Sequence, residues 1–384
     1  MEQNIKKTLS EFALQIERDV QFEDLSEQDL LNKWTSKLLS INNEFREETQ
    51  PLSFKELYSE TLLAVSSPKE TKNLFNCIPT GFTDLDNIIG GLPLGQLIVL
   101  GARPAMGKSS FLISLMANAI RNQNTPTAYF SMEISAQKTM VLLFGNIMEM
   151  SYQSIVSKDL PKLLIDEIAE KTKIISNANI SIEDNCFTIE DIITRTHFLV
   201  KEKGVQLILI DYLQLIKIKN RREGSREAEV AKLCRELKAL ARKYNVAIFV
   251  NSQLSRAVET RGGDKKPQLS DLRESGAIEQ DADKVLFLHR PEYYNITEDE
   301  IGESTAGIAE IIIAKNRDGA TDSVKLKFEK QYSSFKDLGI TEKEKFYSGK
   351  EYFIDLRKNE FETEITTRII RKSKMNDIDE DHPF

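Results

Sequence analysis

The sequence predicts an α/β fold in which a mainly parallel, twisted sheet is flanked by helices and preceded by a short helical segment. Three observations predict it. A short apolar run, QLIVLG, ends in a turn containing Pro and Gly, and an apolar run at helical spacing, FLISLMANAI, follows. From Ile78 onward, apolar runs alternate with stretches of helical periodicity, the pattern of strands joined by crossover helices. Several of those apolar runs end in one polar or acidic residue, at the strand ends where such sheets hold their ligands.

Bulk composition sets outer limits. A chain of 384 residues with 40% hydrophobic and 29% charged residues can bury one large α/β core with smaller appendages. The net charge of −8 means that any nucleic-acid contact must come from a local basic surface. The three cysteines, Cys77, Cys186 and Cys234, stand far apart with no C-x-x-C pair, so neither a disulfide framework nor a zinc site is expected. The start, MEQNIKKTLSEF, has no apolar signal core and no stretch approaches a membrane span, which makes a reducing cytoplasm the expected location and excludes a membrane partner.

In chain order, residues 1–51 form a first unit, with FALQIERDV and DLLNKWTSKLLSI offering two short amphipathic helical patterns. Residues 53–65 carry Phe54, Leu57, Tyr58, Leu62 and Val65 at i, i+3, i+4 spacing, a helix with one apolar face. That face packs on its own domain or docks on a neighbouring subunit. Ser66-Ser67-Pro68 ends it. Strands are expected near 96–101, 127–132, 180–183, 206–211, 246–251, 284–289 and 308–314. Helices are expected near 108–122, 135–149, 162–176, 188–203 and 226–244, and the hairpin SVKLKFEKQYSSF closes a main domain over 52–338. Residues 339–384 form a C-terminal extension, with YFIDLRK as a strand and an acidic end, NDIDEDHPF.

The turn ARPAMGKS has the chemistry of a phosphate-binding loop. Backbone N–H groups of Ala105, Met106, Gly107, Lys108, Ser109 and Ser110 would face a triphosphate, the Lys108 ammonium would reach its outer phosphates, and the Ser109 hydroxyl would hold Mg²⁺. Ala102 stands where the pattern usually has its first Gly; a small residue suffices there. TAYFSM ends in Glu133, a carboxylate placed to polarise an attacking water. QLILID ends in Asp211, the acidic partner for Mg²⁺. AIFVNSQ ends in Gln253, an amide able to sense the γ-phosphate and inform the loop after it. In that order after a phosphate loop, they point to hydrolysis of a nucleoside triphosphate.

Two loops, KNRREGSR (219–226) and 256–266, are rich in Arg, Lys and Gly and hold no aromatic residue, so base stacking is not available there. On charge alone each reads as solvated surface. With DNA as partner, Arg221 and Arg222 would contact phosphates, giving sequence-tolerant and salt-sensitive binding.

The strings IPTGFTDLDNIIGGL (78–92), ARPAMGKS (102–109), FSMEIS (130–135), LILIDYLQL (207–215), NSQLSR (251–256), SDLRESGAIEQDAD (270–283) and IAEIIIAKNRDG (308–319) together resemble the C-terminal motor domain of bacterial replicative DNA helicases of the DnaB type. The resemblance covers about residues 52–338. It implies a RecA-like ATPase that assembles as a homo-hexamer around single-stranded DNA and works in DNA replication, with ATP and Mg²⁺ as cofactors. It implies Lys108, Glu133, Asp211 and Gln253 in the roles above, and Lys315 and Arg317 reaching the γ-phosphate held by the adjacent subunit, where an arginine stabilises developing charge. Arg273, Glu274 and Gly276 match the loop that follows the DNA backbone, with Glu274 orienting the loop and Gly276 letting main chain approach phosphate. Replication proteins such as a loader or a primase are the implied partners. Residues 1–51 are shorter than the family's N-terminal helical domain plus linker helix, so ring collaring and primase contact are not carried onto them. The acidic Pro383-Phe384 ending resembles the tails of bacterial single-stranded DNA-binding proteins, which would add the partners of such tails. Two other readings stay open: an ATP-gated scaffold on single-stranded DNA, and a RecA-like recombination ATPase without processive unwinding.

Overall fold

The structure is a computed structural model that describes residues 2–22, 26–44, 53–66, 77–157, 161–218, 226–261, 263–272, 276–299, 301–339, 352–354 and 369–371. Three helices come first: α1 (Glu2–Phe22), α2 (Glu27–Glu44) and α3 (Phe54–Ser66). Phe12, Leu30 and Ile41 are buried, and Asp19 accepts from Trp34 Nε1 at 3.0 Å and pairs with Lys33 at 3.2 Å. On α3, Phe54, Leu57, Tyr58 and Leu62 are all exposed, Phe54 at 83%. The expected apolar stripe exists, and among the described residues it is not covered.

The main sheet has nine strands: β1 (Leu97–Ala102), β2 (Thr127–Ser131), β3 (Ile180–Glu183), β4 (Leu207–Asp211), β5 (Ala247–Gln253), β6 (Lys284–His289), β7 (Ile308–Asn316), β8 (Ser323–Glu329) and β9 (Ser334–Asp337). Their spatial order is β9-β8-β7-β6-β1-β5-β4-β2-β3. Six strands, β6 through β3 in that order, pair in parallel. Every residue of β1, β2 and β4 is buried, which is why they read as unbroken apolar runs. Side chains still alternate between two faces. Ile98, Leu100, Leu207, Leu209 and Phe249 meet Phe111, Leu112 and Leu115 on one side. Leu97, Val99, Ile208, Ile210 and Val250 meet Val230, Leu233 and Leu237 on the other. Helices α5 (Lys108–Gln123) and α8 (Arg226–Tyr244) supply those partners, and α4 (Thr83–Ile89), α6 (Ala136–Met148) and α7 (Ile189–Lys203) add Leu85, Leu143 and Ile192.

Two local expectations are corrected. The strand near 308–314 does not continue the parallel alternation: β7 runs antiparallel to β6, and β8 and β9 follow antiparallel in turn. Parallel pairing needs a crossover, and the described part of the β6 to β7 connection holds only the helical turn Pro291–Tyr294. The helix expected over 162–176 is two pieces, Lys162–Lys171 and Lys173–Ser176. At the break, Thr172 Oγ1 donates to the Ile168 carbonyl at 2.6 Å, a side-chain bond that bends helices.

The close fit around β1 is testable at Gly101. A Cβ there would lie 2.9 Å from Leu254 Cδ2 and from two Phe287 ring carbons, both buried. Gly101→Ala is expected to cost about 1–3 kcal/mol through overpacking, read as a lower urea midpoint. An unchanged midpoint would contradict the packing described.

Candidate nucleotide site and the loops beside it

The phosphate turn is built between β1 and α5. β1 ends at Ala102, a buried strand residue. The chain then reverses through left-handed backbone at Ala105 (φ 62°) and Gly107 (φ 101°). Gly107 caps α5 without any side-chain acceptor, so the first N–H groups of the helix, including those of Ser109 and Ser110, have no intrahelical partner and face outward as an anion site. Met106 is buried beneath the turn. Phe335 backs Gly107, where a Cβ would lie 3.2 Å from its Cζ. Arg290 stacks 4.1 Å above the Phe328 ring and donates to the Ala105 carbonyl at 3.4 Å.

Lys108 Nζ is bonded to the carbonyls of Ala102 (3.2 Å) and Arg103 (3.3 Å), the two residues at the start of its own turn. Burial pushes its pKa down to about 8; the Asp211 and Glu133 carboxylates pull it upward and Arg103 lowers it further. Asp211 is the last residue of β4 and buried. It accepts from Asn251 Nδ2 at 2.9 Å and from the Tyr129 hydroxyl at 3.2 Å. Burial first, then the Asp211 charge, hold the Tyr129 hydroxyl well above its ordinary pKa, so it stays a donor. The sequence reading missed Asn251 and Tyr129 in these roles. Their signal was a polar group inside an apolar strand run.

Glu133 lies past the end of its strand, which stops at Ser131 and not at Glu133 as expected. The turn that carries it is tied down by Met132 N to Asp211 O (3.0 Å) and Ser131 Oγ to Ile134 O (2.5 Å). The Glu133 side chain is exposed, close enough to Lys108 to act on its charge. Gln253 ends β5, paired in register with Ala102. Gln214, which the sequence reading passed over, brackets its backbone: Gln253 N donates to Gln214 Oε1 (3.1 Å), and Gln214 Nε2 donates to Gln253 O (3.3 Å) and Ser252 Oγ (2.9 Å). Lys108, Ser109, Glu133, Asp211 and Gln253 therefore share one end of the sheet.

The donor set suits a metal that arrives with a nucleotide. Among the described residues there is no group of three or more His, Cys, Asp or Glu side chains able to cage an ion. A buried carboxylate with spare lone pairs, at the same end of the sheet as a hydroxyl at the helix start, is what Mg²⁺ needs when phosphates and water fill its other positions. Asp211 and Ser109 would be its protein partners.

Lys315 and Arg317 are elsewhere. Asn316 pairs with Lys284, and Lys284 with Ile98, so these cations lie at the start of β1 while the phosphate turn lies beyond its end, about 13 Å of strand away. Both are engaged at the end of helix α9 (Gly276–Asp281). Lys315 Nζ donates to the carbonyls of Glu279, Gln280 (3.4 Å) and Ala282 (2.9 Å), and burial and the Arg317 charge lower its pKa. Arg317 pairs with Asp283 at 2.9 Å and donates to Gln280 O at 2.6 Å. Of the residues expected to follow the DNA backbone, Gly276 opens α9, exposed and with nothing within 4 Å of a Cβ. Arg273, Glu274, Arg221 and Arg222, like Pro383 and Phe384, lie outside the described residues.

A phosphate turn at the end of the central strand of a mainly parallel sheet, with an acidic strand end one strand beyond its neighbour, defines a RecA-like P-loop ATPase domain. Comparison with known proteins is more specific: the family model for the DnaB-like helicase C terminal domain matches residues 77–337. The chain belongs to that family. It is 41% identical over 267 residues to "Replicative DNA helicase DnaB" of Geobacillus stearothermophilus, covering 68% of this chain and 56% of the relative. It is 34% identical over 342 residues to "Replicative DNA helicase DnaC" of Bacillus subtilis (strain 168), covering 88% and 73%. A solved DnaB-like replicative helicase, described with its interactions with primase, superposes with a TM-score of 0.71 at 31% identity, covering 88% of this chain and 77% of that one. A second solved structure, an isolated ATPase domain, superposes with a TM-score of 0.65 at 34% identity, covering 73% and 98%. The chain thus spans little more than half of the first relative. Among the described residues no helix is long and apolar enough to cross a membrane.

The depressed Lys108 pKa has a measurable consequence. A bound triphosphate favours the charged ammonium, so nucleotide affinity is complete below about pH 8 and falls as pH rises through that value, by up to about tenfold per pH unit. Fluorescent-nucleotide titration across that value, from neutral to alkaline buffer, would show this; a flat profile would contradict it.

Proposed function

We propose that this chain is the motor of an ATP-driven helicase or translocase that acts on single-stranded DNA as a ring of six copies in DNA replication. The observation that carries the reading is the separation of the phosphate turn from Lys315 and Arg317, which lie at opposite ends of one sheet. A single copy holds the triphosphate but not the cations that would complete the site, and a neighbouring copy can present them. The number six and the DNA strand come from the family.

In this reading Lys108 leaves its two carbonyls for the outer phosphates, Glu133 orients the attacking water and takes its proton, and Gln253 bonds the γ-phosphate and moves with it. Arg317 and Lys315 of one copy release the α9 carbonyls and meet charge developing on the next copy's phosphate. Mg²⁺ held at Ser109 and Asp211 would neutralise triphosphate charge. Residues 52–338 are the motor, 1–51 a helical appendage and 339–384 an extension whose acidic end would engage partners of single-stranded DNA-binding protein tails. Arg273, Glu274, Gly276, Arg221 and Arg222 would follow the DNA backbone. A loader and a primase are the expected replication partners, and the cytoplasm the expected site of action.

The test is unwinding of a forked duplex with ATP and Mg²⁺, read beside the mass in solution. Strand separation by a hexamer is expected. Turnover without separation would favour a DNA-binding scaffold, and full-rate hydrolysis by a monomer would overturn the shared site. Arg317→Ala is expected to lower ATP turnover by about 10³-fold or more. Mixed with the unaltered chain, it should depress activity below the line of simple dilution; additive activities would place Arg317 outside the site.

A further inference from the structure

Arg103 belongs to the phosphate turn, yet its side chain points away from the phosphates. It is 6% exposed, and Nε and Nη2 each lie 2.8 Å from Glu259 Oε1. Its Nη1 donates to the carbonyl of Leu254 at 2.6 Å. Leu254 N in turn donates to Ala102 O at 3.2 Å, the carbonyl that also accepts from Lys108. The turn therefore grips the segment after β5 at two points five residues apart, immediately beyond Gln253.

That segment is internally closed. Ser255 N donates to the Asp271 carbonyl (3.1 Å), and the Asp271 carboxylate accepts from Arg261 Nη2 (2.5 Å) and Gln268 N (2.7 Å). Arg261 Nη1 also donates to Lys266 O at 2.8 Å. Asp271 is buried, so its bonds are costly to break. The described residues 254–261 and 263–271 are thus held together as a block by their own bonds and tied to the phosphate turn through Arg103. Two residues past Asp271 comes the stretch 273–276, assigned above to DNA.

We propose that Glu259 is a positioning residue: through its grip on Arg103 it couples occupancy of the phosphate turn to the segment that follows β5, and so to the binding of DNA. Lys108 now bonds the Arg103 carbonyl. Its departure to a phosphate changes the turn at the residue whose side chain carries the block. Two N–H groups of one guanidinium converge on a single oxygen, Glu259 Oε1, and these charge-assisted bonds link the block to the turn. Gln253 reads the γ-phosphate from the strand end, whereas Arg103 and Glu259 read the state of the turn itself, as a second and separate connection.

This role rests on the ATP-driven, DNA-bound motor proposed above, and reciprocal binding separates the two. The affinity of the full chain for fluorescent oligo(dT) is measured with and without a non-hydrolysable ATP analogue and Mg²⁺, and the analogue's affinity with and without oligo(dT). Coupling between linked sites commonly amounts to about 5–150-fold and is equal in both directions. In the unaltered chain the factor should be at least about fivefold. In Glu259→Gln it should fall to within about twofold of unity, while each ligand binds alone as before. Glu259→Asp, which keeps the carboxylate, should restore much of the factor. Hydrogen exchange at amides 255–261 should respond to the analogue in the unaltered chain and not in Glu259→Gln. A wild-type factor in Glu259→Gln overturns the proposal, as does weaker binding of both ligands with the factor intact, which would mark a purely structural contact. Independent binding already in the unaltered chain would overturn the motor reading itself.

Discussion

The geometry of the site depends on β1 being locked between two parallel neighbours. β5 and β6 pair with it on either side over most of its length, and all six of its residues are buried. A strand with hydrogen bonds on both edges and packing on both faces cannot slide, because a one-residue slip would turn every apolar side chain to the wrong face. Its end is therefore a fixed point. The turn from Arg103 to Gly107 inherits that rigidity and presents the free N–H groups of α5 in one direction. Asp283 anchors the other end of β1, accepting from Leu97 N at 2.8 Å while pairing with Lys238 and Arg317.

One strand thereby connects two chemistries. At its far end are the phosphate turn, Asp211 and Gln253; at its near end, Asp283 and the cations Lys315 and Arg317. Each cation has a local partner, and neither can serve the nucleotide site of its own copy. Lys315 and Arg317 bond carbonyls at the end of α9, whose first residue is Gly276. A cation drawn toward a neighbour's phosphate would give up those bonds. The contacts of the two cations with Gln280 and Ala282 and those of Arg103 with Leu254 and Glu259 thus lie on either side of the stretch 273–276 in the sequence.

Much of this was legible in the chain. Buried parallel strands announce themselves as apolar runs, so the strand positions from 96 to 316 were readable to within a residue or two, and the phosphate turn, Asp211 and Gln253 could be placed at their ends. The direction of β7 was not readable: a buried strand looks the same whichever way it runs, and only the short connection from β6 decides it. Glu133 was assigned to a strand that stops two residues earlier, because the turn at Ser131 is made by bonds to Asp211 and Ile134 that no local pattern signals.

By itself, then, the sequence determined the α/β class, the phosphate turn and the order of its acidic and amide partners, since these are set by local periodicity and by residues a few positions apart. Strand order was decided by tertiary structure alone. It brings Asn251 and Tyr129 onto Asp211, Gln214 onto Gln253, and Arg103 onto Glu259 across a separation of 156 residues. It also sets Lys315 and Arg317 at the end of the sheet away from their own phosphate turn. Such contacts arise from which strands lie side by side, and hydrophobic patterning, which records only that a strand is buried, is silent about its neighbours.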